Sequence, residues 1–314
     1  MRVFVAGATG AIGRPLVSAL ASARYEAVGM AGSERSLRTL QEYGVDGVIV
    51  DVFDAAAVSA AVARVRPDAV IEELTSLPKD YTPEAMRAAA ERDRRVRLEG
   101  GGNVHNAARA AGVKRYIVQS TGFFYGPGAG LAAETESLAV HAPPGIAGSV
   151  RTYLQIEERV LGAHEPEGVA LRYGFFYGPG TYHDPGTGSI ARQVREGQYP
   201  VIGSGAGVFS FIHVEDAAAA TVAALESDAG IYNVVDDDPS EMRTWLPAFA
   251  RFLGAPPPAH LGGEQARMQG ADAVYYATQL RGARNDRAKR QLGFRPRRLE
   301  WLSKVGAGAA ANPR

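Results

Sequence analysis

Short apolar runs alternate with longer alanine-rich and polar segments over the first 120 residues of the chain. The apolar runs are Val3–Ala6, Ala27–Met30, Val45–Val50, Ala69–Ile71 and Tyr116–Val118. The longer segments, rich in Ala, Leu, Arg and Glu, are Ile12–Ser22, Glu34–Tyr43, Ala55–Arg64 and Pro83–Ala111. This alternation predicts βαβ units and therefore a parallel sheet. Because the runs are almost continuously apolar, we expect helices to cover both faces of that sheet.

A change of pattern at residues 126–149 interrupts this order. Gly, Pro, Ala and Ser dominate there, and Pro143 and Pro144 indicate a helix-breaking loop. Beyond it the pattern predicts a helix at Thr152–Ala163 and a strand at Val169–Tyr173. The later predictions are a loop at Gly178–Gly188, helices at Ile190–Glu196, Glu215–Glu226, Glu241–Leu253 and Asp286–Leu292, strands at Phe209–Val214 and Ile231–Val235, and a fraying end at Ser303–Arg314.

The composition is that of a globular protein and narrows the classes of function. Of 314 residues, 46% are hydrophobic, which is enough apolar material for a core. Lys+Arg and Asp+Glu both number 34, so the chain lacks the basic surplus of a non-specific nucleic-acid binder. The absence of cysteine excludes thiol nucleophiles, the six histidines lack metal-ligand spacing, and no apolar run reaches the roughly 18 residues of a membrane span. We predict a cytoplasmic protein that acts on a small molecule, with no metal, membrane or nucleic-acid partner.

A glycine-rich turn follows the first predicted strand and opens the first predicted helix. In this context the spacing of its glycines is typical of a dinucleotide-binding turn. The first glycine permits a tight turn, the second lets a pyrophosphate approach the backbone, and the third lets helix and strand pack closely. Free N–H groups and the positive end of the helix dipole would face the phosphates. The cofactor-binding candidates here are Gly7, Thr9, Gly10, Ala11, Ile12 and Gly13.

The end of the second predicted strand bears on the choice between NADP and NAD. An NAD site usually has an acidic residue there for the ribose 2′-hydroxyl, whereas this chain continues Ala31-Gly32-Ser33-Glu34-Arg35. Ser33 and Arg35 can hold a 2′-phosphate, so we favour NADP, with NAD as the alternative. For Arg35 an ordinary solvated helix face competes with this role. Asp51, after the third strand, is a candidate for the adenine edge or for a cap of its own turn.

These residues, together with several later motifs, resemble the extended short-chain dehydrogenases/reductases, the NAD-dependent epimerase/dehydratase group. The matching stretches are the glycine turn, Asp51-Val52, Ala108–Gln119, Ser120-Thr121, Leu171–Gly174, Tyr177–Gly180, Phe211–Ala217, Tyr232–Val234 and Asn285–Gly293. The resemblance implies an α/β fold: a Rossmann-type doubly wound parallel sheet with a smaller C-terminal substrate domain and a cleft between them. On this basis we assign residues 1–174 with about 206–228 to the first domain, and 175–205 with 229–314 to the second.

The resemblance also implies roles for individual residues. Val52, Leu74 and Tyr173 join the cofactor contacts, and Thr121, next to Ser120, orients the reacting oxygen. Arginines of the fourth predicted helix line either the cleft or the interface of a possible homodimer. They are Arg92, Arg94, Arg95 and Arg97, the last of which stands where the family often has Asn.

The chain departs from the family at the catalytic Tyr-x-x-x-Lys pair. It has Tyr153 followed by Glu157, or, in another register, Ser149 followed by Tyr153, so the lysine is absent either way. We expect a carboxylate one helical turn from Tyr153 to raise the pKa of that tyrosine. An unassisted tyrosinate costs about 4 kcal/mol at pH 7, which makes Tyr153 a poor base but a usable proton donor. The predicted catalytic residues are Thr121, Tyr153 and Ser120.

Three functions remain compatible with these residues. The first is an NADP-dependent oxidoreductase that reduces a carbonyl of a small organic or sugar-like substrate. The second is a non-redox isomerase, lyase or cyclase that retains the cofactor, and the third is an NADP-sensing protein without turnover. The missing lysine is the reason for keeping the last two, because without it the tyrosine is a poor base for alcohol oxidation.

Overall fold

The computed structural model describes residues 1–303, and its largest element is a parallel sheet of seven strands. In chain order these are β1 (Arg2–Ala6), β2 (Glu26–Ala31), β3 (Asp46–Ile49), β4 (Ala69–Glu72), β5 (Arg115–Thr121), β6 (Glu167–Tyr173) and β11 (Gly230–Val234). Their order in the sheet is β11-β6-β5-β4-β1-β2-β3, with every neighbouring pair parallel. The expected doubly wound parallel sheet is confirmed.

Helices cover both faces of the sheet, as its apolar strands require. They are α1 (Gly13–Ser22), α2 (Glu34–Glu42), α3 (Ala55–Val65), α4 (Pro83–Arg95), α5 (Gly101–Ala110), α6 (Pro144–Leu161), α8 (Val214–Ala223) and α12 (Asp286–Gln291). One apolar core joins one sheet face to α1 and α8, and a second joins the other face to α3, α5 and α6. Strand residues alternate between the two cores, so Val5 belongs to the first and Phe4 to the second.

A smaller region packs around a separate aromatic core beside the carboxyl edge of the sheet. Its strands are β7 (Phe175–Tyr177), β8 (Val201–Ile202), β9 (Val208–Phe209), β10 (Phe211–His213), β12 (Ser240–Glu241) and β13 (His260–Leu261). Its helices are α7 (Ser189–Arg195), α9 (Met242–Phe252), α10 (Gly263–Met268) and α11 (Ala271–Gln279). Trp245, Phe249 and Trp301 are buried at its centre.

Several expectations need correction at the level of elements. The stretch 229–314 is not a single piece of the smaller region, because β11 is an edge strand of the large sheet. Pro143 and Pro144 do not break a helix; they begin α6, where the first-turn N–H groups have no partner to lose. The predicted strand 209–214 is split between β9 and β10. The expected fraying of Ser303–Arg314 falls, apart from Ser303, outside the described residues.

The fourth predicted helix is continuous in space but changes its hydrogen bonding midway. A π-helical turn, Val96–Gly100, joins α4 to α5 and places one extra residue in the turn. Such turns are frequent at functional sites because they re-aim side chains without ending the helix. This turn has no signal in the apolar pattern of the sequence. It lies against α6, so it faces the helix that carries Tyr153.

Candidate active site

The glycine turn lies where the strand order reverses, between β1 and β4. The connections from these strands run to opposite sides of the sheet, which opens a crevice at their carboxyl ends. Strands β4, β5 and β6 also end at this edge. The fold therefore brings the turn, Glu73, Thr121 and Tyr173 to one side of the sheet, as the sequence predicted for the last two.

The three glycines of the turn have different reasons for lacking a side chain. Gly7 has a φ of +91°, and a Cβ there would lie 2.4 Å from the backbone oxygen of Glu73. A Cβ on Gly13 would lie 2.3 Å from the oxygen of Gly7. A Cβ on Gly10 would meet only the Gly7 oxygen, at 3.2 Å, and would otherwise project into open space. Two glycines thus serve close packing, and the third leaves room for a ligand.

The start of α1 carries hydrogen-bond donors without acceptors. Ile12, at the N-cap position, makes no side-chain cap, and the first turn has no acidic residue. Among the described residues, none accepts a hydrogen bond from the backbone N–H of Ala11 or Ile12. Open space at Gly10 and free N–H groups at a helix start suit a pyrophosphate. The turn therefore fits the dinucleotide that the sequence predicts.

The predicted adenosine end is solvent-exposed. Ser33 caps α2 by accepting a hydrogen bond from the N–H of Ser36 at 3.2 Å, and the side chain of Arg35 projects outward. Asp51 accepts a hydrogen bond from the N–H of Phe53 at 3.0 Å, so the cap considered for it in the sequence is present. Val52 packs against Gly100 of the π-helical turn, where a Cβ would lie 2.9 Å from it.

Ser120 belongs to a buried ion-pair network rather than to the open crevice. Its hydroxyl donates to Glu157 at 2.6 Å, and Arg172 donates to both oxygens of Glu157 at 2.7 Å. Ser120 and Arg172 lie side by side on β5 and β6, which fixes the pair. Glu157 is thus occupied by Ser120 and Arg172, and the expectation that it raises the pKa of Tyr153 is wrong. Burial is the main cause of that raised pKa, and Asp93 adds to it.

Tyr173 likewise has a hydroxyl with partners inside the protein. It lies 3.0 Å from an oxygen of Glu73 and 2.7 Å from the hydroxyl of Thr221 on α8. The other oxygen of Glu73 is enclosed and has no partner among the described residues. Burial raises the pKa of Glu73 to about 8. Any contact of Tyr173 with a cofactor would therefore involve its backbone or ring, because its hydroxyl is occupied.

Thr121 and Tyr153, by contrast, retain unused hydroxyl groups. Thr121 is buried at the end of β5, and its Oγ1 has no partner among residues 1–303. Tyr153 lies on α6, half-buried, and its hydroxyl makes no hydrogen bond within that range. Burial raises the pKa of Tyr153 above its ordinary value of 10, while Arg97 lowers it. Ser149, one turn earlier, is exposed, and its hydroxyl donates to the backbone oxygen of Gly145. It therefore lacks the half-buried, unpaired hydroxyl that Tyr153 has.

Arg97, on the π-helical turn, is the charged group next to Tyr153. Its guanidinium carbon lies 5.0 Å from the centre of the Tyr153 ring, and its Nε donates to Asp93 at 2.7 Å. Only 3% of Arg97 is exposed. One signal in the sequence points to it, since this is the position where the family often has Asn. Helix spacing alone did not show that it would meet α6.

Half-buried aromatic rings lie on the part of the molecule that also carries Tyr153. Phe123 follows β5 and stacks on Phe175, which begins β7, at 4.1 Å between ring centres. Tyr276 of α11 lies 6.1 Å from Phe175, and Tyr81 lies 5.1 Å from Tyr182. All five rings pack on the same core as Tyr153. We call Tyr81, Phe123, Phe175, Tyr182 and Tyr276 the aromatic wall; no motif or spacing in the sequence predicts it.

The described residues provide two further observations on the site. No group of three or more His, Asp and Glu side chains within residues 1–303 is placed to hold a metal ion. None of the helices in this part of the chain combines the length and apolar character needed to cross a bilayer.

The fold and the glycine turn are those of a dinucleotide-binding protein. Comparison with known proteins identifies the family. The model of the NAD dependent epimerase/dehydratase family matches residues 3–235, and the chain belongs to that family. It is an oxidoreductase of the extended short-chain dehydrogenase/reductase type and uses a nicotinamide cofactor.

Two curated proteins are similar over essentially their whole length. A 3-diazoavenalumate denitrifying reductase from a Streptomyces species is 42% identical over 313 residues, covering 98% of this chain and 99% of that protein. A 4-hydroxy-2-methyl-3-oxo-4-farnesyl-3,4-dihydroquinoline-1-oxide ketoreductase from Stigmatella aurantiaca is 27% identical, covering 100% of this chain and 99% of that protein. Both relatives are named as reductases.

Solved structures of epimerases share the fold. UDP-glucose 4-epimerase from Thermus thermophilus, in complex with NAD, superimposes with a TM-score of 0.71 at 26% identity, covering 99% of this chain and 100% of that one. The Thermotoga maritima UDP-glucose 4-epimerase, with UDP-glucose, gives 0.74 at 18% identity, covering 97% and 99%. The second likeness concerns the fold alone. Together they confirm the Rossmann-type sheet with a smaller C-terminal part.

Proposed function

We propose that this protein is a reductase that transfers hydride from NADPH to a small aromatic or conjugated substrate. The observation that carries this proposal is the aromatic wall, which packs on the same core as Tyr153 and includes Phe123, two residues after Thr121. Flat aromatic rings offer large apolar contact area to a flat substrate. The names of the two curated relatives, a diazo acid reductase and a quinoline ketoreductase, are consistent with such a substrate.

The reaction that we propose first is reductive loss of a diazo group from an aromatic carbon. Hydride attack on an arenediazonium forms one C–H bond; the C–N bond breaks and its electron pair leaves with N2. This exchange needs no proton, so it suits a site that lacks the Tyr-x-x-x-Lys pair. The relative that is 42% identical over nearly both full lengths is named for removal of a diazo nitrogen.

A second candidate is reduction of a conjugated ketone. The observation that favours it is the free hydroxyl of Tyr153 beside the cation of Arg97. In that reaction the carbonyl oxygen becomes an alkoxide, which takes the proton of Tyr153; the resulting tyrosinate lies against Arg97 and is reprotonated from water. Thr121, with its unpartnered hydroxyl, would orient the same oxygen.

The remaining roles in this proposal belong to the cofactor side. A bound reduced nicotinamide supplies the hydride. The glycine turn and the N–H groups of Ala11 and Ile12 bind the pyrophosphate, and Arg35 pairs with a 2′-phosphate, which is the basis for preferring NADP to NAD. Asp51, Val52 and Leu74 stay candidates for adenine and ribose contacts. The other finer proposals are a Rossmann domain with a separate substrate domain, a cytoplasmic location and a possible homodimer.

An isotope experiment distinguishes the two reactions. NADPH deuterated at the transferable hydride is incubated with the protein and, separately, with a carboxybenzenediazonium salt or a conjugated aryl ketone; protein-free samples give the background. Deuterium on the ring carbon that held nitrogen, with N2 release, supports the first reaction. Deuterium on a carbinol carbon supports the second. If the protein transfers deuterium to neither probe, the proposal is contradicted.

A further inference from the structure

The buried guanidinium of Arg97 uses only one of its three nitrogens within the protein. Nε donates to Asp93, while no residue in the described part of the chain accepts a hydrogen bond from Nη1 or Nη2. These two atoms are not fully enclosed, so the exposed 3% of Arg97 includes them. Buried arginine donors normally find acceptors, because an unused donor away from water costs free energy. The two Nη atoms are therefore available to a ligand.

A dedicated framework holds this arginine in place. The side chain of Arg159, on α6, donates from Nη1 to the backbone oxygens of Arg97 at 3.1 Å and Leu98 at 3.3 Å. Both oxygens belong to the π-helical turn, where the regular helical acceptors are displaced. Nη2 of Arg159 donates to both oxygens of Glu72 at the end of β4. A Cβ on Gly101 would lie 2.1 Å from Glu72, so this contact requires glycine there.

The charged and titratable groups around the pair are few. Asp93 on α4 faces both Arg97 and Tyr153, and Tyr276 on α11 also faces Tyr153. Glu72 faces Arg97 but is paired with Arg159. Glu73 also faces Arg97, and its burial keeps it protonated at neutral pH. Of these carboxylates, Asp93 alone among the described residues accepts a hydrogen bond from Arg97, and it accepts from Nε, which leaves the outer N–H groups available.

We propose that Arg97 and the hydroxyl of Tyr153 together form a binding site for a negatively charged oxygen of the aromatic substrate. This inference rests on the proposed function for the identity of the substrate. Its test measures anion binding and does not depend on that function. The oxygen is a phenolate or a carboxylate, or the alkoxide that develops during ketone reduction. Arginine presents two parallel N–H groups to such an oxygen, and Tyr153 adds one O–H. The aromatic wall holds the attached ring.

The pair replaces the missing lysine by a different route. In the family pattern the cation and the tyrosine lie one turn apart on a single helix. Here the cation comes from the π-helical turn and the hydroxyl from α6, with 5.0 Å between guanidinium carbon and ring centre. An arginine directed at the substrate binds planar anions better than a lysine does. The chain has therefore exchanged a proton-relay lysine for an anion-binding arginine.

The test uses para-nitrophenol, whose phenolate is coloured and whose ionisation reports its surroundings directly. Nitrophenol is titrated with the protein, with and without NADP+, and its apparent pKa in the bound state is read from the colour. We expect binding to lower that pKa by about one unit or more, since a nearby cation favours the anion. Benzoate and cinnamate, competing for the same site, form the second arm and distinguish a carboxylate from a phenolate.

Matched variants assign the effect to the pair. Arg97→Gln should weaken nitrophenolate binding by about 10- to 100-fold and abolish the pKa shift. Arg97→Lys should restore part of it, because it keeps the charge without the planar fork. Arg94→Gln is the control, since Arg94 lies on α4 but is exposed and paired with Glu91. Tyr153→Phe, which keeps the ring, should weaken binding several-fold and serves if Arg97→Gln does not fold.

The possible outcomes separate this inference from the proposed function. Loss of nitrophenolate or carboxylate binding in Arg97→Gln supports the site, even if no hydride transfer occurs with any probe. The inference is overturned if wild-type protein binds none of the three anions, or if Arg97→Gln and Tyr153→Phe both bind them as wild type does. Hydride transfer that persists in that case would leave the reductase proposal intact.

Discussion

Two buried arginines that contact side chains of α6 show how differently the same residue type is used in this fold. Arg172 and Arg97 are each 3% exposed. Arg172 donates from all three nitrogens: Nε and Nη2 to Glu157, and Nη1 to the hydroxyl of Tyr125 at 2.9 Å. Within residues 1–303, Arg97 donates from Nε alone, to Asp93. Burial therefore does not distinguish the two, whereas the number of satisfied donors does.

This difference indicates which arginine holds the fold and which is available for chemistry. A buried charge with every donor paired contributes to the structure, and removing its partner leaves an uncompensated charge. A buried charge with two donors that have no acceptor among the described residues, yet are not fully enclosed, is available to a ligand. The comparison predicts opposite consequences for stability and activity, and each can be measured.

The largest effect should come from Glu157→Ala. This change leaves the guanidinium of Arg172 buried without its carboxylate, so we expect the free energy of unfolding to fall by about 3–5 kcal/mol. Urea denaturation followed by circular dichroism measures this. Glu158→Ala, at the exposed neighbouring position of the same helix, should change stability by no more than about 0.5 kcal/mol. Equal effects of the two variants would show that the Glu157–Arg172 pair is not structural.

Arg97→Gln should give the reverse pattern. Without two donors to the oxyanion that develops in ketone reduction, kcat should fall by about 10²- to 10³-fold; for an oxyanion already present in the substrate, the loss should appear as a higher KM. The free energy of unfolding should change by about 1 kcal/mol or less, because Asp93 is partly exposed and keeps its hydrogen bond from the N–H of Ser76. Steady-state kinetics and urea denaturation on the same preparation check both. A variant that loses stability and keeps kcat would abolish the contrast with Arg172.

A third test concerns Glu73, a buried carboxyl that accepts no hydrogen bond from an arginine among the described residues. The pKa of Glu73 is raised from 4.5 to about 8 by burial, so the folded state binds more protons than the unfolded state between those values. Its stabilising contribution is present below pH 4.5 and lost as pH rises through 8. Relative to Glu73→Gln, which mimics the protonated form, wild type should lose stability across this window at a slope of at most about 1.4 kcal/mol per pH unit.

Denaturation midpoints of both proteins over a pH series measure that slope. Glu158→Gln, exposed on α6, is the matched control and should follow wild type at each pH. A difference between wild type and Glu73→Gln that stays constant with pH would show that Glu73 is ionised in the folded protein. In that case the buried carboxyl would resemble Glu157, with a cation that compensates it.

Much of the sheet and the glycine turn could be predicted from the sequence because their signals are local. The run Val3–Ala6 followed by Gly7 and Gly10 contains the strand, the turn and the open space in adjacent residues. The start of α6 was missed because prolines were interpreted as breakers, although at the first helical position they cost no hydrogen bond. The edge strand β11 was assigned to the wrong region because its partner, β6, lies far away in sequence.

The candidate site was less predictable because its parts meet only in three dimensions. Glu157 follows Tyr153 by one turn, yet its carboxylate binds Arg172, which neighbours Ser120 across two strands. The π-helical turn that aims Arg97 depends on Arg159 and Glu72, and neither of these has a distinctive spacing. The types of residue at the site could therefore be predicted from the sequence. The structure was needed to show which of their hydroxyl groups have no partner.

The smallest expected effect concerns an arginine at the surface, and it extends the comparison to exposed charges. The side chain of Arg35 is exposed at the start of α2, next to the cap residue Ser33. If it pairs with the 2′-phosphate, Arg35→Ala should weaken NADPH binding about fivefold and leave NADH binding unchanged, because an exposed ion pair contributes about 1 kcal/mol. Titration calorimetry with both cofactors measures the ratio, and Arg38→Ala, one turn further along α2, is the control.

Since the pair is in contact with water, the effect should shrink as salt is raised from 0.05 to about 0.5 M, whereas binding to buried Arg97 should change little over the same range. Equal weakening of NADH and NADPH would place Arg35 outside the 2′-phosphate site and remove the basis for the NADP preference.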